Sequence, residues 1–125
     1  MRFFVHLIIF LFLVQHVSAD ERSLLYGAWG TKKQCAGTPI KTGGTVLAAP
    51  FVISDQWMQH GKLWCKINWH PIDKRENGIF TGARAQCGED SVRGYTIGFD
   101  LRDNELTIRW DFPHKNGPLM KCPNS

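Results

Sequence analysis

The stretch Ser91-Val92-Arg93-Gly94-Tyr95-Thr96-Ile97-Gly98-Phe99-Asp100-Leu101, continuing through Arg102-Asp103-Asn104-Glu105 into Leu106-Thr107-Ile108-Arg109-Trp110-Asp111-Phe112, decides the fold class. Tyr95, Ile97, Phe99 and Leu101 alternate with Thr96, Gly98 and Asp100, and Leu106, Ile108 and Trp110 alternate with Thr107, Arg109 and Asp111. Alternate side chains of a strand point to opposite faces, so each half reads as a strand with one apolar face. Asp103-Asn104 supplies two residues that tolerate the positive φ of a tight hairpin turn. With that pair as the loop, Leu101 faces Leu106, Phe99 faces Ile108, Ile97 faces Trp110, and Arg102 faces Glu105. One register thus serves the turn, the core face and the charges together.

The chain opens differently. Met1-Arg2 is a short basic start, Phe3 to Val14 is almost wholly apolar, and Val17-Ser18-Ala19 is a small-residue cleavage site. Together they read as a secretory signal peptide over residues 1–19. The apolar run is about a dozen residues, too short for the roughly 20 that span a bilayer, so no membrane anchor is expected after cleavage. Residues 20–125 then form a single β domain, small enough for cross-links to matter. Removing Arg2 from the 15 basic residues leaves 14 against 11 acidic ones, a mild +3. The charges are interspersed, which argues against nucleic acid as a partner.

All four cysteines, Cys35, Cys65, Cys87 and Cys122, lie beyond the leader. An even count in an exported chain implies two disulfides, formed in a periplasmic or extracellular setting. Gaps of 29, 21 and 34 residues lack the short Cys-x-x-Cys steps of a zinc site. Lys62 to Trp69 and Ile79 to Cys87 both alternate. If they pair about Glu76, facing residues have numbers summing to 152, and Cys65 faces Cys87. Cys35 and Cys122 are left to join the first and last parts of the chain.

Elsewhere the pattern is coarser. Asp20 to Leu25 reads as a mobile mature N-terminus. Thr31 to Gly44 reads as a loop, or as a short strand around Cys35 and then a loop. Thr45 to Ser54 is one strand broken by Pro50. Ser54 to Gly61 reads as a helical turn or a continuing strand. His70 to Gly78 is a charged connection carrying an Asn77-Gly78 turn signal, and Gly88-Glu89-Asp90 is an acidic turn. Pro113 to Pro118 is a further turn before a short last strand, Leu119 to Cys122. The class is all-β: a small antiparallel barrel or sandwich of about six to eight short strands.

Chemistry-bearing constellations are sparse. His60, His70 and His114 are far apart in sequence and read as loop histidines. Glu89 and Asp90 are neighbours that point apart. There is no Gly-x-Ser-x-Gly nucleophile motif, and Gly43-Gly44 lacks the Lys and Ser/Thr of a phosphate loop. No catalytic residues, metal ligands or cofactors are expected. Five tryptophans are many for so small a domain. The alternation places Trp69 and Trp110 inside. It places Trp64, Lys66, Phe80, Arg84 and Gln86 on the outer face, out of phase with the cysteines. Exposed aromatics beside cations suit a protein interface, or burial in a homodimer; a covering Thr45 to Gly61 segment is the structural alternative.

Gly27-Ala28-Trp29-Gly30 resembles the opening of lipocalins, avidins and small bacterial protease inhibitors. In those barrels the Trp plugs one end. The general plan is also similar to small exported, disulfide-stapled proteins of Gram-negative envelopes, inhibitors of proteases and lysozymes among them. The Ser-Gly/Tyr and Thr-Lys-Gly motifs of lysozyme inhibitors are not evident here. The resemblance implies a non-enzymatic binding protein of inhibitor or host-interaction type. The alternative it implies is a lipocalin-like carrier of a small apolar ligand.

Overall fold

The computed structural model describes residues 19–37, 41–42, 45–46, 49–88 and 91–123. Nearly all of the apolar leader, the Gly43-Gly44 pair and the Glu89-Asp90 turn lie outside the described residues. The strands are β1 (Gly27–Gly30), β2 (Lys41–Thr42), β3 (Thr45–Val46), β4 (Phe51–Ile53), β5 (Trp57–His60), β6 (Leu63–Arg75), β7 (Gly78–Cys87), β8 (Arg93–Arg102), β9 (Glu105–Arg109) and β10 (Lys115–Lys121). Eight of them close an antiparallel barrel in the order β1-β10-β9-β8-β7-β6-β5-β4, while β2 and β3 form a separate ribbon. Of the two architectures open to the sequence, the barrel is the one formed.

The β8–β9 hairpin is the one read from the sequence. Leu101 pairs with Leu106, Phe99 with Ile108 and Arg102 with Glu105. Asp103 and Asn104 take φ of 51° and 64°, the conformation their short polar side chains tolerate. The ladder stops at Gly98–Arg109, so Trp110 lies past its end and does not pair with Ile97. Inward positions interdigitate by size: Ala83 faces Ile97, Thr81 faces Phe99 and Ala85 faces Tyr95. Ile97, Phe99, Leu106, Ile108, Ala83 and Ala85 are wholly buried. Side chains therefore fill the bore, as expected in a barrel of eight strands.

The β6–β7 pairing keeps the sum of 152 from Cys65–Cys87 to Trp69–Ala83, then shifts by one at His70-Pro71. Pro71 has no N–H to give the ladder, so the chain bulges there. The His70 carbonyl accepts instead from the Thr81 hydroxyl and from an Arg22 guanidinium nitrogen, each at 3.0 Å. This explains how Thr81 can be wholly buried in an apolar interior. Beyond the bulge β6 runs on to Arg75, so the charged connection expected over His70–Gly78 shrinks to Glu76-Asn77.

The N-terminus departs from expectation. Ala19–Arg22 is a single helical turn, α1, and Ser23–Leu25 is a 3-10 turn. Glu21 pairs with Lys74 at 2.6 Å, Arg22 lies over the Trp69 ring, and Leu25 is wholly buried. The segment expected to be mobile is pinned because Leu25 and Arg22 both find partners on the barrel. Trp29 is buried, donates its indole N–H to the Leu25 carbonyl at 2.9 Å, and lies under Lys121. Since neighbouring strands alternate in direction, β1 begins at the barrel end that carries the Glu76-Asn77 and Asp103-Asn104 turns. The 3-10 turn and Trp29 close that end.

Other readings are corrected by local hydrogen bonding. Lys32–Cys35 is a helical turn, α2, not a strand. Thr31 accepts from the Gln34 N–H, and the Gln34 side chain accepts from the Thr31 N–H, a capping box. Trp57–His60 is a strand, not helix, held between β4 and β6. The chain turns at Asp111–Pro113 instead of Asn116-Gly117, and β10 already begins at Lys115. Both cross-links are those expected, Cys65–Cys87 and Cys35–Cys122.

Candidate functional site: an outer groove and an aromatic mouth

Two surface clefts stand out. The first, about 470 Å³, lies on the barrel wall over β5, β6 and the start of β8. Because Met58 and Cys65 point inward, their neighbours Trp57, Trp64 and Lys66 point outward. The Trp57 and Trp64 rings meet at 5.2 Å and a 50° tilt, yet remain 36% and 43% exposed. Gln86 pairs with Lys66 beside them, and Val92 adds an exposed apolar group. Cys65–Cys87 joins β6 to β7 directly beneath, which holds this wall rigid.

The five residues expected on the outer face separate into two groups. Trp64, Lys66, Arg84 and Gln86 share one region; Arg84 is exposed, with its guanidinium lying over Gly94, the residue facing Gln86. Phe80 lies further along, between Asp73 and Asp100, and is half-buried. Its ring lies across Gly98 and beneath Arg75. Among the described residues of Thr45–Gly61, β5 does not lie over the face but joins the barrel beside β6. The ion pairs Arg75–Asp73, Arg102–Asp100 and Arg109–Asp100 involve other residues, and Lys66 in the groove and Arg84 on the same face are in none of them.

The second cleft, about 360 Å³, is the mouth at the barrel's other end. Inward phase carried to the strand ends brings Phe51 (β4), His60 (β5), Leu63 (β6) and Tyr95 (β8) to it. The connection from β9 to β10 adds Trp110, Phe112 and His114, with Asn116 at the start of β10. Phe51 and His60 stack at 3.9 Å and 17°. Trp110 stacks with Phe112 at 5.7 Å, and Phe112 with His114 at 6.0 Å, with interplanar angles of 26° and 12°. Tyr95 meets Trp110 and Phe112 edge-on. The Trp110 indole N–H donates to Asn116 Oδ1 at 2.8 Å. Burial pushes the His60 imidazole below its usual pKa, against the opposing pull of a hydrogen bond to the Ala49 backbone.

Sequence reasoning missed this mouth. His60 and His114 were expected in separate loops, and the barrel brings both to one cleft. His70 instead sits at the bulge, its Nδ1 above Gly82. The signal that would have found the mouth is phase: His60 continues the inward series of Met58, and Phe112 that of Ile108 and Trp110. Among the described residues, no group of His, Cys, Asp and Glu is arranged to hold a metal ion. No known protein family, no curated protein and no solved structure matches this chain.

Proposed function

We propose that this chain is an exported, non-enzymatic binding domain that docks a protein partner on its outer groove. The observation that carries the reading is the Trp57–Trp64 pair, two large rings left open to water, with Trp64 next to the Cys65–Cys87 link. Rigid aromatics lose little entropy on binding and dominate interface energetics. Lys66 and Arg84 beside them favour an acidic partner and a salt-sensitive encounter. Two intramolecular disulfides favour an oxidising compartment. With the apolar leader, this supports a periplasmic or extracellular home; among the described residues, no helix is long and apolar enough to cross a membrane. An inhibitor or host-interaction role in a Gram-negative envelope is the class this plan fits. A lipocalin-like carrier with its ligand inside the bore is less favoured, because Ile97, Phe99 and Ile108 fill that space.

The test pairs capture with stability. Trp64→Ala combined with Arg84→Ala is expected to abolish capture of an acidic protein from envelope and extracellular extracts, with the thermal midpoint nearly unchanged. Capture by the wild type should weaken as salt is raised. A large fall in the midpoint with capture intact would move the groove from function to structure. Sedimentation showing a dimer lost in the same variant would name a second copy of this chain as the occupant.

A further inference from the structure

The mouth is chemically unlike the outer groove. The barrel is closed at one end by Leu25 and Trp29, and its bore is filled, so the other end offers a shallow, preformed cleft. Barrel mouths of this size are habitual places for small ligands. Here the lining is mostly aromatic: the Phe51–His60 stack, and Trp110, Phe112 and His114 in near-parallel succession. An aromatic lining favours an aromatic molecule, through offset or edge-on contacts with its rings. No Lys, Arg, Asp or Glu is among the described residues that line the cleft. A charged ligand would give up part of its hydration there with no counter-ion among those lining residues. A long aliphatic chain needs depth, and wholly buried Ile97 and Phe99 occupy it. The Trp110 N–H is already satisfied by Asn116 Oδ1, so a ligand meets the ring and not that donor, and the Asn116 amide group has its N–H hydrogens to offer a polar substituent.

We propose that the mouth is a second binding site, one that takes a small uncharged aromatic molecule of one or two rings, held against Trp110, Phe112 and His114 with a polar substituent at Asn116.

The experiment is isothermal calorimetry on the disulfide-oxidised protein with 2-naphthol as probe, 2-naphthoate as charged control and 1-dodecanol as aliphatic control. Saturable one-to-one binding of 2-naphthol is expected, with each control weaker by about tenfold or more. Phe112→Ala should weaken 2-naphthol by a similar factor; Phe112 is 45% exposed, so its loss leaves the fold standing. Met120→Ala, at an exposed residue outside the mouth lining, should change nothing. In a proton–nitrogen spectrum the Trp110 indole resonance should shift on titration. Absence of saturable binding overturns the proposal, as does 2-naphthol binding that survives Phe112→Ala with the Trp110 signal unmoved. Tighter binding of 1-dodecanol than of 2-naphthol also overturns it, by showing an aliphatic site.

Discussion

The Phe80 ring lies across Gly98 of the neighbouring strand, so closely that a Cβ at residue 98 would stand 3.1 Å from both Cε2 and Cζ. The same device recurs where Arg84 covers Gly94 and His70 covers Gly82. A glycine in a strand leaves backbone bare, and a large side chain from the next strand restores the cover. This accounts for Phe80 on the outer wall without an external partner.

Gly98→Ala is accordingly expected to destabilise the barrel by about 1 kcal/mol, because the ring must give by a few tenths of an ångström. Phe80→Ala should cost about 1–2 kcal/mol through lost contact with Gly98 and Arg75. In the double variant the Gly98→Ala penalty should disappear or reverse in sign, since the ring is gone and alanine is the better strand residue. Denaturant unfolding of the four proteins measures the coupling; strict additivity would show that the two residues do not act on one another.

Phe99 and Asp100 test the two faces of β8. Phe99 is wholly buried and meets Trp69 at 5.1 Å, so Phe99→Ala should cost roughly 3–5 kcal/mol. From alternation alone Asp100 belongs in water. It is instead only 8% exposed, bonded to Arg102 at 3.0 Å with Arg109 at 3.8 Å. Asp100→Ala should therefore cost about 1 kcal/mol, more than an open surface site, and unfolding in urea should rank Phe99 well above Asp100.

What could be read in the chain follows the physics of its parts. Period-two alternation and Asp103-Asn104 determine a local hairpin, and the 152 register follows from two alternating runs of similar length. The Cys35–Cys122 link follows by elimination once Cys65 and Cys87 face each other. The errors fall where distant partners decide. Leu25 is ordered by the barrel end, and Trp57 is made a strand residue by β4 and β6. Asp100 is buried by arginines on its own and the next strand. The Thr31-Lys-Lys-Gln34 capping box was legible and overlooked. The mouth is only faintly legible: phase points His60 and Phe112 inward, but the cleft assembles from separated pieces of chain that only the closed barrel brings together.

The two disulfides should differ in worth. Cys35–Cys122 closes a loop with a sequence separation of 87, against 22 for Cys65–Cys87. Chain-entropy reasoning gives about 4–5 kcal/mol for the first and about 3 kcal/mol for the second, before any native-state relaxation. Replacing Cys35 and Cys122 together by Ala should lower the thermal midpoint further than replacing Cys65 and Cys87. Calorimetry of the two double variants checks the order; the reverse order would mean that residual structure in the unfolded chain dominates.

His60 should make stability depend on pH. Burial against Phe51 holds its pKa below the ordinary value of 6.5, which the unfolded chain recovers. Between the lowered folded value and 6.5 the unfolded chain therefore binds more protons, and stability rises with pH across that window. The contribution of the neutral ring is complete above the unfolded value and is lost as pH falls toward the folded one. His60→Phe keeps a flat ring stacked on Phe51 and removes the titration. Thermal midpoints measured from about pH 7.5 down to about pH 5.5 should fall more steeply for the wild type than for His60→Phe, the carboxylates being common to both. Parallel curves for the two proteins would show that His60 takes up its proton in the folded barrel as readily as in the unfolded chain.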